Sequence, residues 1–256
     1  MRPQYTNRMT NKRLKVATWN LGRPKFASKA KNDSILKRLR EVDADILVLT
    51  ETNACIDLSD SYTSFSTTCL FQSLAIGKEP YEQGENRVTI WSKSDGLRRI
   101  DVCNSHSAVC AQLTTDCGEL NVYGTVIGIY GKGRGKTEPP LLSYTDFERT
   151  LDVQLADWER LYELGPLCVV GDFNLSLSDS DSYYVTEKYR QRMLDCFRRI
   201  KMTVMTKDLP NNIDHIALSN SFLNLVDPKT GIWPKSVSDH QGVWLTLEKT
   251  PEARCA

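Results

Sequence analysis

Residues 167–174 read LCVVGDFN, an apolar run that leads into an aspartate and an asparagine. Four consecutive apolar residues, 167–170, predict a short buried strand. The preceding segment, Tyr144–Leu164, has apolar residues at intervals of three and four, which predicts a helix with one buried face. Gly165 and Pro166 end that helix. A helix that leads directly into a buried strand is typical of α/β folds.

The same alternation occurs near the start of the chain. Residues 14–19 and 45–49 are apolar runs that predict strands, and residues 34–42 between them have the spacing of an amphipathic helix. A further helix is predicted over residues 186–201, where the many arginines and lysines indicate either an ordinary solvated face or a contact with a polyanion. The remaining predicted strands are 87–91, 97–103, 108–115, 119–130, 213–218 and 243–247.

The composition excludes several classes of protein. The chain has 256 residues, 40% of them hydrophobic, which allows a sizeable core and excludes a mostly disordered chain. A net charge of +1 excludes a strongly basic, histone-like binder, so any contact with a polyanion must be local. No apolar run approaches the roughly 18 residues of a membrane helix. Residues 1–13 are polar and basic, which predicts a frayed arm or a transit peptide rather than a secretory signal. We therefore expect a cytoplasmic protein with a single domain over residues 14–250.

Polar side chains stand where the predicted strands end. They are Asn20, Glu51, Asp172 with Asn174, Asp214, and Asp239 with His240. Loops at strand ends are where a rigid scaffold usually carries its function. One such residue alone is more often a turn or a helix cap, but the repetition of oxygen donors at these ends indicates a shared site. Oxygen ligands of this kind suit Mg²⁺, with Mn²⁺ as a second candidate, far better than zinc.

Five short segments carry a resemblance to a known family: Thr18-Trp19-Asn20, Leu49-Thr50-Glu51-Thr52, Gly171-Asp172-Phe173-Asn174, Asn212-Ile213-Asp214-His215-Ile216 and Ser238-Asp239-His240. Their order and spacing over residues 14–248 resemble the signature of the endonuclease/exonuclease/phosphatase superfamily, which includes DNase I-like nucleases and abasic-site endonucleases. The resemblance implies a four-layer α/β/β/α sandwich with two packed mixed β-sheets. It also implies Mg²⁺-dependent hydrolysis of phosphodiester bonds in nucleic acid, by an endonuclease or an exonuclease.

The resemblance also implies roles for individual residues. Glu51 is expected to be the principal metal ligand, with Asn20 and Asp239 in the coordination or water shell. Asp172 is expected to orient or deprotonate the attacking water, and Asn174 to hold that water or a phosphate oxygen. His240 would stabilise negative charge on the phosphate, and Asp214 would orient His240 and keep it protonated. His215 is expected to be structural, because its side chain points to the other face of its strand.

The segment 121–130 departs from the family pattern. Many members carry a catalytic tyrosine or histidine near the end of this strand, whereas this chain has no histidine there and offers Thr125 or Tyr130. The loop 131–136 that follows holds three cations in six residues. It is either a surface turn or a phosphate clamp, in which Arg134 is the best candidate for a bidentate contact.

Two further alternatives stay open. Cys103, His106, Cys110 and Cys117 are soft ligands close in sequence, but they lack paired CxxC spacing, so we interpret the cysteines as small apolar fillers of a hairpin. The same scaffold can also serve a phosphatase or a phosphoesterase acting on phospholipids or inositol phosphates, or a binding module without catalysis.

Overall fold

The computed structural model describes residues 13–68, 75–76, 79–94, 96–128, 147–179, 186–223 and 226–249. The helices are α1 (Lys29–Val42), α2 (Phe147–Tyr162), α3 (Glu187–Arg199) and α4 (Asn220–Leu223). The strands are β1 (Arg13–Asn20), β2 (Ile46–Asn53), β3 (Thr63–Ser66), β4 (Ala75–Ile76), β5 (Glu79–Pro80), β6 (Glu85–Ser92), β7 (Arg98–Ile100), β8 (Ala108–Thr115), β9 (Gly118–Val126), β10 (Leu167–Asp172), β11 (Met202–Val204), β12 (Asp214–Ser219), β13 (Val226–Trp233) and β14 (Gly242–Lys249).

The first sheet has six strands in the order β13-β14-β1-β2-β6-β3. Strands β1 and β2 are parallel and are connected through α1, which makes a strand-helix-strand unit in the middle of the sheet. Strand β14 lies antiparallel on the other side of β1, with Thr18 opposite Val243. The ends of β1 and β2 and the start of β14 therefore share one edge of this sheet.

The second sheet repeats this arrangement in the order β11-β12-β10-β9-β8-β7. Strands β9 and β10 are parallel, with α2 in the connection between them, and β12 lies antiparallel beside β10. In that register Asp172 is directly opposite Asp214. Each sheet thus brings two strand ends and one strand start to the same edge.

The two sheets pack face to face, and helices cover their outer faces. The inner faces form one apolar cluster that includes Val16, Val48, Val88, Val122, Val170, Ile216 and Leu245. Helix α1 buries Ile35 and Leu39 on the outside of the first sheet. On the outside of the second sheet, Trp158 of α2 stacks on Phe197 of α3 with ring centroids 4.9 Å apart. The predicted four-layer α/β/β/α sandwich with two mixed sheets is confirmed.

Some predicted elements differ in extent. The strand predicted over residues 97–103 is shorter, since β7 ends at Ile100, and the strand predicted over 119–130 ends at Val126. Cys110 is buried against α2, whereas Cys117 packs against the cluster between the sheets. The interpretation of the cysteines as apolar fillers therefore fits Cys110 and Cys117, but it is wrong for Cys103, which is exposed. No helix in the described ranges is long and apolar enough to span a membrane.

Candidate active site

Residues from both sheets meet at one edge of the sandwich, which we call the rim. Asn20 ends β1, Asp172 ends β10 and Asp214 begins β12. The Asn20 amide donates to Asp172 Oδ2 across the gap between the sheets at 2.9 Å. The Nδ1–H of His240 crosses the same gap to Asp214 Oδ2 at 2.6 Å. The rim is therefore a single site to which each sheet contributes.

Gly171 allows β10, the strand of the LCVVGDFN segment, to pack closely against β9 just before it reaches the rim. Its φ is +140°, and a Cβ at this position would lie 2.0 Å from the backbone oxygen of Thr125 on the neighbouring strand. Any other residue would clash with that carbonyl, because a side chain cannot approach a backbone oxygen so closely. The glycine before Asp172 is thus required by the packing of β10 against β9.

Asp172 is buried and held by two donors. The backbone N–H of Asn174 donates to Asp172 Oδ1 at 2.8 Å, and Asn20 holds the other oxygen. Asn174 is in the left-handed region, with φ at +50°, and its amide donates to the carbonyl of Ile127 at 2.9 Å. Burial and the charge of Asp214 raise the pKa of Asp172 to about 7, against the opposing effects of His240 and these donors.

Glu51 has a strained backbone at the end of β2. Its φ is +45°, which is uncommon for a residue with a long side chain, and Arg23 N–H donates to its carbonyl at 2.9 Å. The side chain is half-buried. Loss of solvent and the neighbouring Asp172 raise the pKa of Glu51, while a hydrogen bond from Asn20 opposes the rise. Left-handed backbone held in place beside a crowded carboxylate is typical of functional sites.

Asp214 and His240 form a nearly buried pair, in which the carboxylate is 2% exposed and the imidazole 15%. Burial lowers the pKa of His240, but the charges of Asp214, Asp172 and Asp239 outweigh that effect and raise it to about 10. Burial also raises the pKa of Asp214, partly offset by His240. The imidazole is therefore a cation at neutral pH, with Nδ1–H directed at Asp214.

Two residues that the sequence did not single out hold the loop of Asp239 and His240 in place. Ser238 Oγ donates to the carbonyl of Asn20 at 2.6 Å, and Trp19 Nε1–H donates to the carbonyl of His240 at 3.1 Å. Asp239 itself is exposed beside Gly22. One indication of this anchoring role was present in the sequence, the serine that precedes Asp239 and His240 in the Ser-Asp-His segment.

The oxygen donors at the rim fit a divalent cation, whereas the protonated imidazole of His240 stands beside them as a second positive charge. Ligand atoms of Asp172, Asp214 and His240 lie within 4.8 Å of one another, and this is the only such group in the described ranges. Asp214 Oδ1 is buried, and none of the described residues forms a hydrogen bond with it. Buried carboxylates with raised pKa values, one of them with such an oxygen, need a positive charge nearby, from a proton or a hard metal ion. Asn20, Glu51 and Asp239, the residues expected to hold that ion, border the same cluster.

Thr125, one alternative for the family tyrosine or histidine, faces away from the rim. Its hydroxyl donates to Gln154 Oε1 of α2 at 2.5 Å, and both residues are fully buried. The other alternative, Tyr130, lies outside the described residues, as do Arg134 and the rest of the 131–136 loop.

The arginines of α3 are occupied by acidic partners. The ion pairs are Arg190 with Glu187, Arg192 with Asp152 and Glu148, Arg198 with Asp195, and Arg199 with Glu159. Several of these acids belong to α2, so the two helices neutralise each other on the outer face of the second sheet. This favours the interpretation of α3 as an ordinary solvated face.

The sequence profile of the endonuclease/exonuclease/phosphatase family matches residues 17–240. The chain belongs to this family. The match begins just before Asn20 and ends on His240, so it takes in the whole rim. Membership in the family supports a hydrolase of phosphate esters. A search of curated proteins gave no match.

Solved structures with the same fold cover nearly the whole of this family member. The AP endonuclease LMAP from Leishmania major is 16% identical, covers 94% of this chain and 89% of its own, and has a TM-score of 0.67. The human Nocturnin catalytic domain is 14% identical, with coverage of 93% and 94% and a TM-score of 0.61. The endonuclease domain of TRAS1, a telomere-specific non-LTR retrotransposon, is 16% identical, with coverage of 92% and 98% and a TM-score of 0.57. At these identities the likeness shows the fold alone.

His215, adjacent to Asp214, is fully buried, and its contacts are with core and backbone groups of the fold. Its Nε2 lies 3.1 Å from the carbonyl of Leu175 and its Nδ1 3.3 Å from the Asn212 amide, and its ring packs on Phe173. Burial lowers its pKa to about 4. The expectation that it points away from the rim agrees with these contacts.

We expect this buried imidazole to make the protein less stable in mild acid. The unfolded chain takes up a proton near pH 6.5 while the folded chain does not until about pH 4, so stability is lost as the pH falls between these values. The contribution is about 2 kcal/mol between pH 7 and pH 5. Urea unfolding at both pH values measures it, with the variant His215→Gln as comparison. An equal pH dependence in the variant and the wild type would show that His215 does not cause the loss.

Proposed function

We propose that this family member is a Mg²⁺-dependent phosphodiesterase that cleaves nucleic acid, with residues 14–250 as its single catalytic domain and Mn²⁺ as an alternative metal. The observation that carries the proposal is the group formed by Asp172, Asp214 and His240 at the rim, with ligand atoms within 4.8 Å of one another. It joins a cationic donor to buried carboxylates at one place, and hydrolysis of a phosphate ester requires both kinds of group.

The residues at the rim divide the work of hydrolysis between them. Asn20, Glu51 and Asp239 would hold the metal ion, which supplies positive charge to the phosphate. Asp172, fixed by the Asn174 backbone, would orient the attacking water and accept its proton.

His240 and Asn174 would handle the phosphate. His240 is held at Nδ1 by Asp214, which directs its Nε2–H outward to donate to a phosphate oxygen as negative charge builds. Asn174 would hold the water or a phosphate oxygen through its remaining hydrogen-bonding capacity. Asp214 acts through His240 and is a positioning residue.

Nucleic acid is the substrate class favoured by two of the similar structures, which are named as endonucleases. At 16% identity this is support for a proposal about this chain and no more. The test is a panel of substrates assayed with one purified preparation: plasmid, single-stranded DNA, RNA, abasic duplex, inositol phosphates and phospholipid vesicles. Faster turnover on any polynucleotide than on the small esters or lipids supports the proposal, and the reverse order moves the function to the phosphatase or phospholipid class.

The metal requirement is tested in the same assay. Excess chelator should abolish turnover, and Mg²⁺ or Mn²⁺ should restore it, whereas Zn²⁺ should restore it poorly because the donors are mostly oxygen. Glu51→Gln should raise the Mg²⁺ concentration that gives half-maximal activity, with Glu163→Gln, an exposed glutamate, as matched control. Turnover that persists in chelator contradicts the metal mechanism, and an unchanged Mg²⁺ titration removes Glu51 from the ligand set.

A further inference from the structure

The loop between β1 and α1, together with the first turn of α1, carries four cations and an exposed aromatic ring. Residues 21–31 read LGRPKFASKAK, with four cations and no acid. The loop follows Asn20 directly. It is held against β2 by the backbone of Leu21, which donates to Thr50, and of Arg23, which donates to Glu51, both at 2.9 Å. The start of the loop, residues 21–23, is therefore fixed next to the rim.

Phe26 is the most exposed large hydrophobic side chain in the described ranges, at 61%. The backbone on both sides of it is ordered by local hydrogen bonds: Ser28 N–H donates to Lys25 O, and the Asn32 amide donates to the same carbonyl, each at 2.9 Å. The ring is thus presented to solvent by a rigid loop. Burial of this ring by a bound ligand would be favourable, and the ring lies only four residues after Gly22, which contacts the rim beside Asp239.

Lys31 brings a positive charge to the edge of the site. Its Nζ donates to the carbonyl of Gly22 at 3.3 Å. A Cβ on Gly22 would lie 3.9 Å from that ammonium and 3.5 Å from Asp239 Oδ1, so Lys31 and Asp239 flank the same glycine. Within the described part of the chain Lys31 makes no ion pair, in contrast to the arginines of α3.

From this arrangement we infer that residues Phe26 and Lys31 form a nucleotide-binding ledge for single-stranded polynucleotide. Lys31 contacts the phosphate next to the one at the rim, and the phenyl ring of Phe26 stacks on an unpaired base of that strand. Bases inside a duplex are covered on both faces by their neighbours, so the ledge selects single strands or unpaired regions. The inference rests on the proposed function, since it places the ledge beside a phosphodiester bond that is cleaved at the rim.

Binding without turnover tests the ledge. A fluorescein-labelled single-stranded oligonucleotide is titrated with the full chain in chelator, and anisotropy is followed over a series of salt concentrations. Phe26→Ala should weaken binding about 5-fold to 150-fold, the range of one stacking contact, with an unchanged salt slope. Lys31→Ala should reduce the slope of log K against log salt by about 0.7, the value of one phosphate contact on a single strand.

Matched controls separate these effects from general changes of the surface. Leu164→Ala removes another exposed apolar side chain, 58% exposed, next to the start of β10 and so at the end of the second sheet opposite the rim. Lys37→Ala removes an exposed cation from α1. Both of these control variants should bind like the wild type. The conservative variants at the ledge itself should also be near normal: Phe26→Trp should retain affinity, and Lys31→Arg should retain the salt slope.

The outcomes distinguish the ledge from the proposed function. If the wild type cleaves polynucleotides but Phe26→Ala and Lys31→Ala match it in affinity and salt slope, the ledge is wrong and the function stands. If Phe26→Ala weakens binding to a fully paired duplex as much as binding to the single strand, the selection for unpaired bases is overturned. If the wild type neither binds nor cleaves any polynucleotide, both proposals fail.

Discussion

Asp172→Asn is expected to lower kcat on the preferred phosphodiester by about 100-fold or more, because an amide cannot accept the proton of the attacking water. The loss should appear in kcat more than in KM, since proton acceptance matters only in the transition state. The measurement is steady-state turnover at saturating Mg²⁺, so that a weakened metal site does not limit the rate.

The fold should tolerate this substitution. Both oxygens of Asp172 accept hydrogen bonds, so the NH₂ group of an asparagine would face a donor and lose one of them. The amide also removes a buried charge that lies opposite Asp214, and this offsets part of the cost. The melting temperature should therefore change little. Asp179→Asn, at an exposed aspartate that pairs with Lys207, is the matched control, and near-normal turnover in Asp172→Asn refutes the role of Asp172.

His240→Ala is expected to cost a comparable factor, about 100-fold or more in kcat. The imidazole is the cation that Asp214 holds at the rim, and its loss removes a donor aimed at the charge that develops on the phosphate. It also leaves the buried Asp214 carboxylate without its partner, so part of the effect comes from a disturbed site.

Comparison variants separate these two effects. His240→Gln keeps a hydrogen-bond donor toward Asp214 but no cation, and it should stay as slow as the alanine variant if the charge is what matters. His106→Gln, at a histidine in the turn before β8, should leave turnover intact. A His240→Ala enzyme with wild-type kcat and a wild-type melting temperature would remove His240 from the mechanism.

Much of the architecture could be predicted from the sequence because its signals are local. The strand with LCVVGDFN and the strand with TWN are short apolar runs of strand length, and the helix before Gly165 has a regular apolar face. The missed strands have no such pattern. Strand β3 reads TSFS and β13 contains proline and glycine, and each lies at an edge of the first sheet, where pairing with one neighbour decides the conformation.

The site could be predicted as a set of residues but not as a geometry. The order of the five segments indicated which side chains belong together. It did not indicate that Asn20 would contact Asp172, or that Glu51 would need a left-handed backbone, because both depend on how the two sheets pack. The sequence also did not show which face of the sheet the Thr125 side chain lies on, because a shift of one position along a strand moves a side chain to the opposite face. The proposed ledge has no sequence motif, because it depends on the exposure of Phe26 and the charge of Lys31.

The pairing of β1 with β14 determines when this enzyme can first work. Trp19 and His240 are in contact although 221 positions separate them along the chain. Before β14 pairs with β1, the chain already carries Asn20, Glu51 and Asp172, but β1 has only β2 as a neighbour and His240 is not held at the rim. Closing so long a loop is also among the slower steps of folding. Hydrolysis of a phosphate ester at the rim therefore requires the β1–β14 pairing, which joins the two ends of the fold and brings His240 next to Trp19.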